Sequence, residues 1–254
     1  MRLFNKNLFF IIICSLGLMS CSVTGEKVEP NTYALKAADI NVQLGLSYLQ
    51  RGNYEIALGK LTKALEQNPK LATAHNTIAL LYQRLVMLDK VEAHFKKAVE
   101  LRSDYSEAHN NFGVFLCQQQ QYKLAEEHFL KAIENPLYTS IAYAYENAGL
   151  CVNRIPDATL AQRYFKKALQ LEPKLTKSLL QMAKLSYLNI DYDDAHSYIQ
   201  RYQQLAKWTA PSLFTAIQIE NKLKNGNAVA SYALLLKSRF PDSDEAIKVK
   251  KGLY

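Results

Sequence analysis

Histidines are the first side chains of this 254-residue chain whose spacing could bind a metal ion. His75 and His109 are 34 residues apart, and His94 and His128 have the same separation. If the chain repeats at that period, equivalent positions of packed neighbouring helices lie on the order of 10 Å apart. The ligands of one zinc ion each lie about 2 Å from it. We therefore expect repeated surface or interhelix histidines, with no metal site and no cofactor.

Cysteines are the second candidates for chemistry. Cys117 and Cys151 are also 34 residues apart, and both lie late in the first helix of adjacent predicted repeats. If first helices pack side by side, an exported chain could join them in a disulfide bond. The alternative is that both are small buried apolar residues. The sequence leaves these two possibilities open.

Other signals of catalysis or of nucleic-acid binding are missing from the sequence. It contains no glycine-rich phosphate loop, no HExxH motif and no paired CxxC motif. The formal charge of +8 is interspersed along the chain, whereas a nucleic-acid surface needs clustered basic residues. We expect a protein that is not an enzyme and that binds neither nucleic acid nor a small-molecule substrate. A regulatory subunit, or an enzyme with unrecognised catalysis, is the alternative from a different class.

The elements that position these residues repeat along the chain. Ala74-His75-Asn76 and Ala108-His109-Asn110 begin two copies of one phrase, and a 34-residue period is typical of a two-helix solenoid. The repeat predicts six units and a capping helix at residues 38–71, 72–105, 106–139, 142–175, 176–209, 210–243 and 244–254.

The first unit carries the landmarks by which the repeat family can be named. They are Gly45, Tyr48, Ala57, Leu61 and Pro69. This spacing resembles the tetratricopeptide repeat (TPR), in which two small residues let the paired helices cross closely. The resemblance implies an all-α, right-handed superhelix of antiparallel helix pairs, whose first helices face a concave surface.

That concave surface is the predicted binding site for a partner polypeptide. The inward stripe of the first unit is apolar where a solvated face would be polar, and asparagines follow in the next units, with amides able to bond a peptide backbone. The predicted groove residues are Val42, Leu46, Leu49, Asn76, Leu80 and Asn110. The alternative is that the N-terminal tether itself covers the apolar stripe.

The N-terminus has the organisation of an export signal. Arg2 and Lys6 precede an apolar stretch at 8–18 that is too short to span a bilayer comfortably. Leu18-Met19-Ser20-Cys21 resembles a bacterial lipobox, which implies a signal peptide at 1–20, acylation of Cys21 and a flexible tether at 21–37. Ser22, rather than aspartate, favours the outer membrane by the same resemblance. The alternative is an ordinary signal peptide or signal anchor with an incidental cysteine.

Two central units contain short sequence motifs that resemble those of a narrower family. Residues 108–113 with Cys117, and residues 145–149 with Cys151, resemble the type IV pilus biogenesis/stability lipoproteins of the PilF/PilW family. The resemblance implies a pilotin on the periplasmic face of the outer membrane, which binds the pilus secretin and promotes its localisation and multimerisation. The alternative is a TPR lipoprotein adaptor of outer-membrane protein assembly or of cell-wall enzyme recruitment.

Overall fold

The computed structural model describes residues 30–155 and 157–254, and all its regular elements in those ranges are α-helices. The predicted signal peptide and Cys21 lie outside the described residues. The helices are α1 Pro30–Gln50, α2 Tyr54–Gln67, α3 Ala72–Arg84, α4 Leu88–Leu101, α5 Ser106–Gln118, α6 Tyr122–Ile133, α7 Ile141–Val152, α8 Ala158–Leu171, α9 Thr176–Leu188, α10 Tyr192–Leu205, α11 Ala210–Lys222, α12 Gly226–Arg239 and α13 Asp244–Lys250.

Helix α1 begins earlier than the sequence pattern indicated. It runs from Pro30, so the prediction of a flexible tether through residue 37 is wrong for residues 30–37. Proline is tolerated in the first turn of a helix, where its missing N–H would have no partner. Ala34, Ala37 and Ala38 then favour helix over coil. The proline marks the start of a helix here.

The first helix of five units ends in the same backbone motif. In the first unit Gly52 has φ +78°, the Gly52 N–H donates to Leu49 O, and the Asn53 N–H donates to Tyr48 O. These two bonds form a Schellman motif, which fixes the direction in which the chain leaves the helix. The left-handed residues at this position are Gly52, Val86, Gln120, Ile190 and Lys224.

Within a unit, the two helices cross at a residue that has no space for a larger side chain. A Cβ atom added to Gly113 would lie 2.8 Å from Phe129 Cε1 and 3.0 Å from the carbonyl oxygen of Ala125. Gly45 and Gly149 hold the same position in their units, against Leu61 and Phe165. The fully buried Phe129 and Phe165 therefore pack directly on backbone of the partner helix.

First helices of neighbouring units pack against one another more closely than second helices do, and this difference curves the array. The first helices touch in sequence, α1 to α3, α3 to α5, α5 to α7, α7 to α9 and α9 to α11. Across the described part of the chain, second helices make no comparable contact with one another. Because the first helices lie closer together, they form the inner, concave side, as in other helical-pair solenoids.

Candidate functional site

An apolar strip crosses three consecutive units on the concave side. Leu46 and Leu49 from α1, Leu80 from α3 and Val114 from α5 line one cavity of about 910 Å³. These side chains are all partly buried, so each still presents surface to the cavity. We call this cavity the groove. It can bury apolar side chains of a bound segment without any rearrangement of the array.

The edge of the groove is polar and positively charged. A glutamine occupies the same position, or the one next to it, in each of α1, α3 and α5, namely Gln50, Gln83 and Gln118. Gln83 Nε2 donates to Gln118 Oε1 at 2.8 Å. Arg51 and Arg84 lie at the same edge. Amide and guanidinium N–H groups suit the carbonyl oxygens or carboxylates of an extended peptide. The groove therefore combines an apolar floor with hydrogen-bond donors.

Two predicted groove residues do not reach the groove surface. Val42 is only 7% exposed and packs in the apolar cluster with Leu61 and Ile78. Asn76 is 1% exposed. Both occupy the position of the first helix that rests against the next unit, so the prediction that they lie on the groove surface is wrong. Of the predicted set, Leu46, Leu49 and Leu80 line the groove.

The asparagines connect units to one another. Asn111 Nδ2 donates to Asn76 Oδ1 at 3.2 Å, and Asn147 Nδ2 donates to Asn110 Oδ1 at 3.0 Å. Each bond joins the first helix of one unit to the first helix of the next. Asn76 is buried and needs such a partner, and in both bonds the acceptor is an asparagine that was expected to bind a peptide. Asn110 lies outside the groove and lines a second cavity.

The histidines pair within units, a contact that a comparison of equivalent positions between units could not reveal. His75 Nδ1 lies 3.0 Å from His94 Nδ1, and His109 Nδ1 lies 2.8 Å from His128 Nδ1. His75 Nε2 also lies 3.1 Å from Pro69 O. A carbonyl can only accept, so His75 carries its proton on Nε2 and its Nδ1 accepts the Nδ1–H of His94. The 19-residue offset shared by both pairs was the signal in the sequence.

Burial lowers the pKa of all four paired histidines. Desolvation, followed by the neighbouring His75, lowers the pKa of His94 to about 4. The same two causes, burial and then His109, lower the pKa of His128 to about 4. Both pairs are therefore neutral at pH 7. Across residues 30–155 and 157–254, no three His, Cys, Asp or Glu side chains cluster as a metal site would require.

A disulfide bond joins Cys117 in α5 to Cys151 in α7. Of the two possibilities that the sequence left open, the structure has the bridge. Cys117 is 7% exposed and Cys151 is 1% exposed, so the bond lies in the interior between the first helices of units three and four. It connects the unit that contributes Val114 to the groove with the unit that follows.

No helix among the described residues is both long and apolar enough to cross a bilayer. This finding concerns only residues 30–155 and 157–254.

Comparison with known proteins finds a matching repeat family and a similar protein that covers most of the chain. A family model described as TPR repeat matches residues 45–86. The type IV pilus assembly protein PilF of Pseudomonas aeruginosa is 32% identical over 237 residues, which cover 92% of this chain and 94% of that protein. The prediction of an all-α TPR superhelix is confirmed.

Two solved structures of pilus proteins superpose on most of the chain. The structure of Pseudomonas aeruginosa PilF does so with a TM-score of 0.83 at 33% identity, covering 87% of this chain and 99% of that one. PilW, a widely conserved type IV pilus biogenesis factor, gives 0.74 at 29% identity, covering 84% and 98%.

Proposed function

The chain belongs to the family of type IV pilus biogenesis proteins that includes PilF and PilW, and from this membership we propose that it is an outer-membrane lipoprotein pilotin for the pilus secretin. In this role the acylated Cys21 holds the chain on the periplasmic face of the outer membrane. The TPR array binds a segment of the secretin and promotes its localisation and multimerisation. The role consists of binding and transport, with no bond-making chemistry.

The observation that carries the proposal is the groove. Its apolar floor draws Leu46, Leu49, Leu80 and Val114 from three units, so that a bound segment must be extended or helical over several residues. Burying apolar surface there stabilises a complex by roughly 25 cal/mol per Å² before the costs of association. The donors at its edge favour a segment that carries carbonyl or carboxylate oxygens.

The groove is tested by one charge placed on its floor. Leu46→Glu would place a carboxylate on the apolar floor, where a bound apolar side chain would have to remove its water, so we expect loss of secretin multimers and surface pili in a deletion strain that carries this variant. Ile56→Glu is the matched control, because Ile56 is 47% exposed on α2 of the same unit and does not line the groove. The readouts are secretin multimers on denaturing gels and pilus counts.

Thermal melting of both purified variants must show that they fold. A folded Leu46→Glu variant that supports normal secretin multimers would exclude the groove as the secretin site. Loss of porins or altered cell shape in the deletion strain, with secretin multimers intact, would instead point to the adaptor role.

The anchor is tested separately. Cys21→Ser removes the acylated thiol, so we expect the protein to leave the outer-membrane fraction, because this proposal gives the chain no other attachment to that membrane. Density-gradient fractionation measures the distribution. Retention of the variant in the outer-membrane fraction without the secretin present would contradict lipid anchoring.

A further inference from the structure

A second cavity of about 620 Å³ lies where units three and four meet. Its walls are the connection between α4 and α5 and the connection between α6 and α7, and it shares no lining residue with the groove. We call it the junction cavity. The junction cavity lies at the N-terminal ends of the first helices, whereas the Schellman motifs lie at their C-terminal ends. The junction cavity and the groove are therefore separate surfaces.

The junction cavity owes its shape to an irregularity in the repeat. Units three and four are offset by 36 residues, from Gly113 to Gly149, whereas Ala79 and Gly113 are 34 apart. The two additional residues lengthen the connection between α6 and α7. That connection contributes Leu137, 85% exposed, and Tyr138 to the cavity wall, and α7 contributes Tyr143, 55% exposed.

Carboxylates dominate the charge of this wall. Asp104 and Glu107 line the cavity and are exposed, and among the described residues neither lies in an ion pair. Arg102 is the one cation among the described residues that line the cavity, and its guanidinium carbon lies 3.6 Å from the centre of the Tyr105 ring. The Arg102 guanidinium is thus stacked on the face of the Tyr105 ring, which partly stabilises its positive charge.

Burial, and then the nearby Glu107 carboxylate, raise the pKa of Tyr138 to about 12. The same order of causes raises the pKa of Tyr105. Glu107, Tyr105 and Tyr138 all line the junction cavity. Aromatic faces beside a carboxylate are the usual surroundings of a bound ammonium or guanidinium group.

A buried hydroxyl supplies an independent sign of a missing ligand. Ser106 is 5% exposed, lines the junction cavity, and its Oγ has no hydrogen-bond partner. An unpartnered buried polar atom costs about 1–3 kcal/mol, so native structures rarely keep one without a reason. Because Ser106 Oγ is itself buried, an incoming N–H donor would reach it only after a small local shift of the cavity wall.

We propose that the junction cavity is a second recognition site, which binds the guanidinium or ammonium group of an arginine or lysine side chain of a partner polypeptide. Glu107 and Asp104 supply the opposite charge, Tyr143 and Tyr138 the aromatic faces, and Ser106 Oγ an acceptor. Through this site the array would select partners that carry an arginine or a lysine, whatever segment occupies the groove.

The test titrates blocked amino acids into the full chain in detergent, with tyrosine rings labelled with ¹³C. N-acetyl-arginine amide is expected to shift the Tyr138 and Tyr143 resonances saturably. N-acetyl-glutamine amide, of similar polarity and no charge, is expected not to do so. Glu107→Gln is expected to weaken arginine binding about two- to five-fold, as the loss of a partly exposed ion pair would.

Glu127→Gln, an exposed carboxylate on α6 outside the cavity, is the matched control and should leave the affinity unchanged. Tyr138→Phe assigns its resonance. Equal binding of the glutamine probe, stronger binding of N-acetyl-glutamate amide, unmoved Tyr138 and Tyr143 resonances, or unchanged affinity of a folded Glu107→Gln protein would each overturn the proposal.

Discussion

At the residue scale, the two histidine pairs are the most unusual polar contacts of the array. Each joins the first and second helix of one unit through an N–H···N bond, in units two and three. One proton can be added at Nε2 of His94 or His128 without breaking that bond. A second would place one N–H group against another at about 3 Å. The pairs therefore resist full protonation.

The histidine pairs should make the fold sensitive to acid. Their pKa values in the folded chain lie below the unfolded value of 6.5, so the unfolded chain takes up protons first as the pH falls. Their stabilising effect is complete above pH 6.5 and is lost between pH 6.5 and about 4. Because His75, His94 and His128 are partly exposed, solvent screening should limit the loss to about 1 kcal/mol per pair.

The measurement is the melting temperature between pH 7.5 and 4.5 of the wild type and of a His94→Gln/His128→Gln variant. Glutamine can hydrogen-bond but does not titrate in this range, so the variant should lose less stability on acidification. Identical slopes for the two proteins would contradict the prediction.

The sequence predicted part of the site at this scale. Periodicity identified Leu46, Leu49 and Leu80, because apolar residues at a solvated helix position are visible without coordinates. It could not separate them from Val42 and Asn76, which share the same stripe of their helices. Whether a residue on that stripe faces the concavity or the next unit depends on the angle between units. That angle follows from side-chain packing over long sequence distances.

At the element scale, the small residue in each first helix decides how closely a pair of helices packs. Gly45, Gly113 and Gly149 lie against Leu61, Phe129 and Phe165, and each phenylalanine is fully buried. The fold was predictable from these residues because a small residue recurs in several units at the point where the two helices cross. The start of α1 was not, since one unit has no earlier copy with which its boundary can be compared.

Gly113→Ala should destabilise the protein by about 1–3 kcal/mol. The added methyl group would overlap the Phe129 ring and the Ala125 carbonyl, neither of which can move without disturbing the core. Gly59→Ala is the matched control, since nothing lies within 4 Å of its added Cβ in the middle of α2. Alanine there should stabilise the helix by roughly 0.5–1 kcal/mol.

Urea denaturation of both variants measures the two changes. Equal effects of the two substitutions would mean that helix propensity alone, and no close helix crossing, determines the outcome.

At the scale of the whole molecule, stability is distributed along the array. Within residues 30–155 and 157–254 the buried apolar residues form three clusters, one in units one and two, one mainly in units two to six, and one around α11 to α13. In such solenoids each unit contacts only its neighbours, so opening can occur at a weak junction without global unfolding. The disulfide bond between α5 and α7 reinforces the junction at which the repeat length changes.

Removing that bond should weaken the array at its centre. The Cys117→Ala/Cys151→Ala variant should lose about 2–4 kcal/mol of unfolding free energy, because the bond closes a long loop with a sequence separation of 34. Chemical denaturation with and without a thiol reductant measures the loss. The reductant should lower the stability of the wild type and leave the variant unchanged, and an unaffected wild type would count against the bond.

The early start of α1 has a consequence for where the groove stands above a membrane. With acylation at Cys21, nine residues separate the lipid from Pro30, a span of at most about 30 Å. From Pro30 to Leu49 the helix advances by about 28 Å. If Cys21 is acylated as proposed, the length of helix α1, and not only the length of the preceding segment, would help to set the height of the groove above the lipid surface.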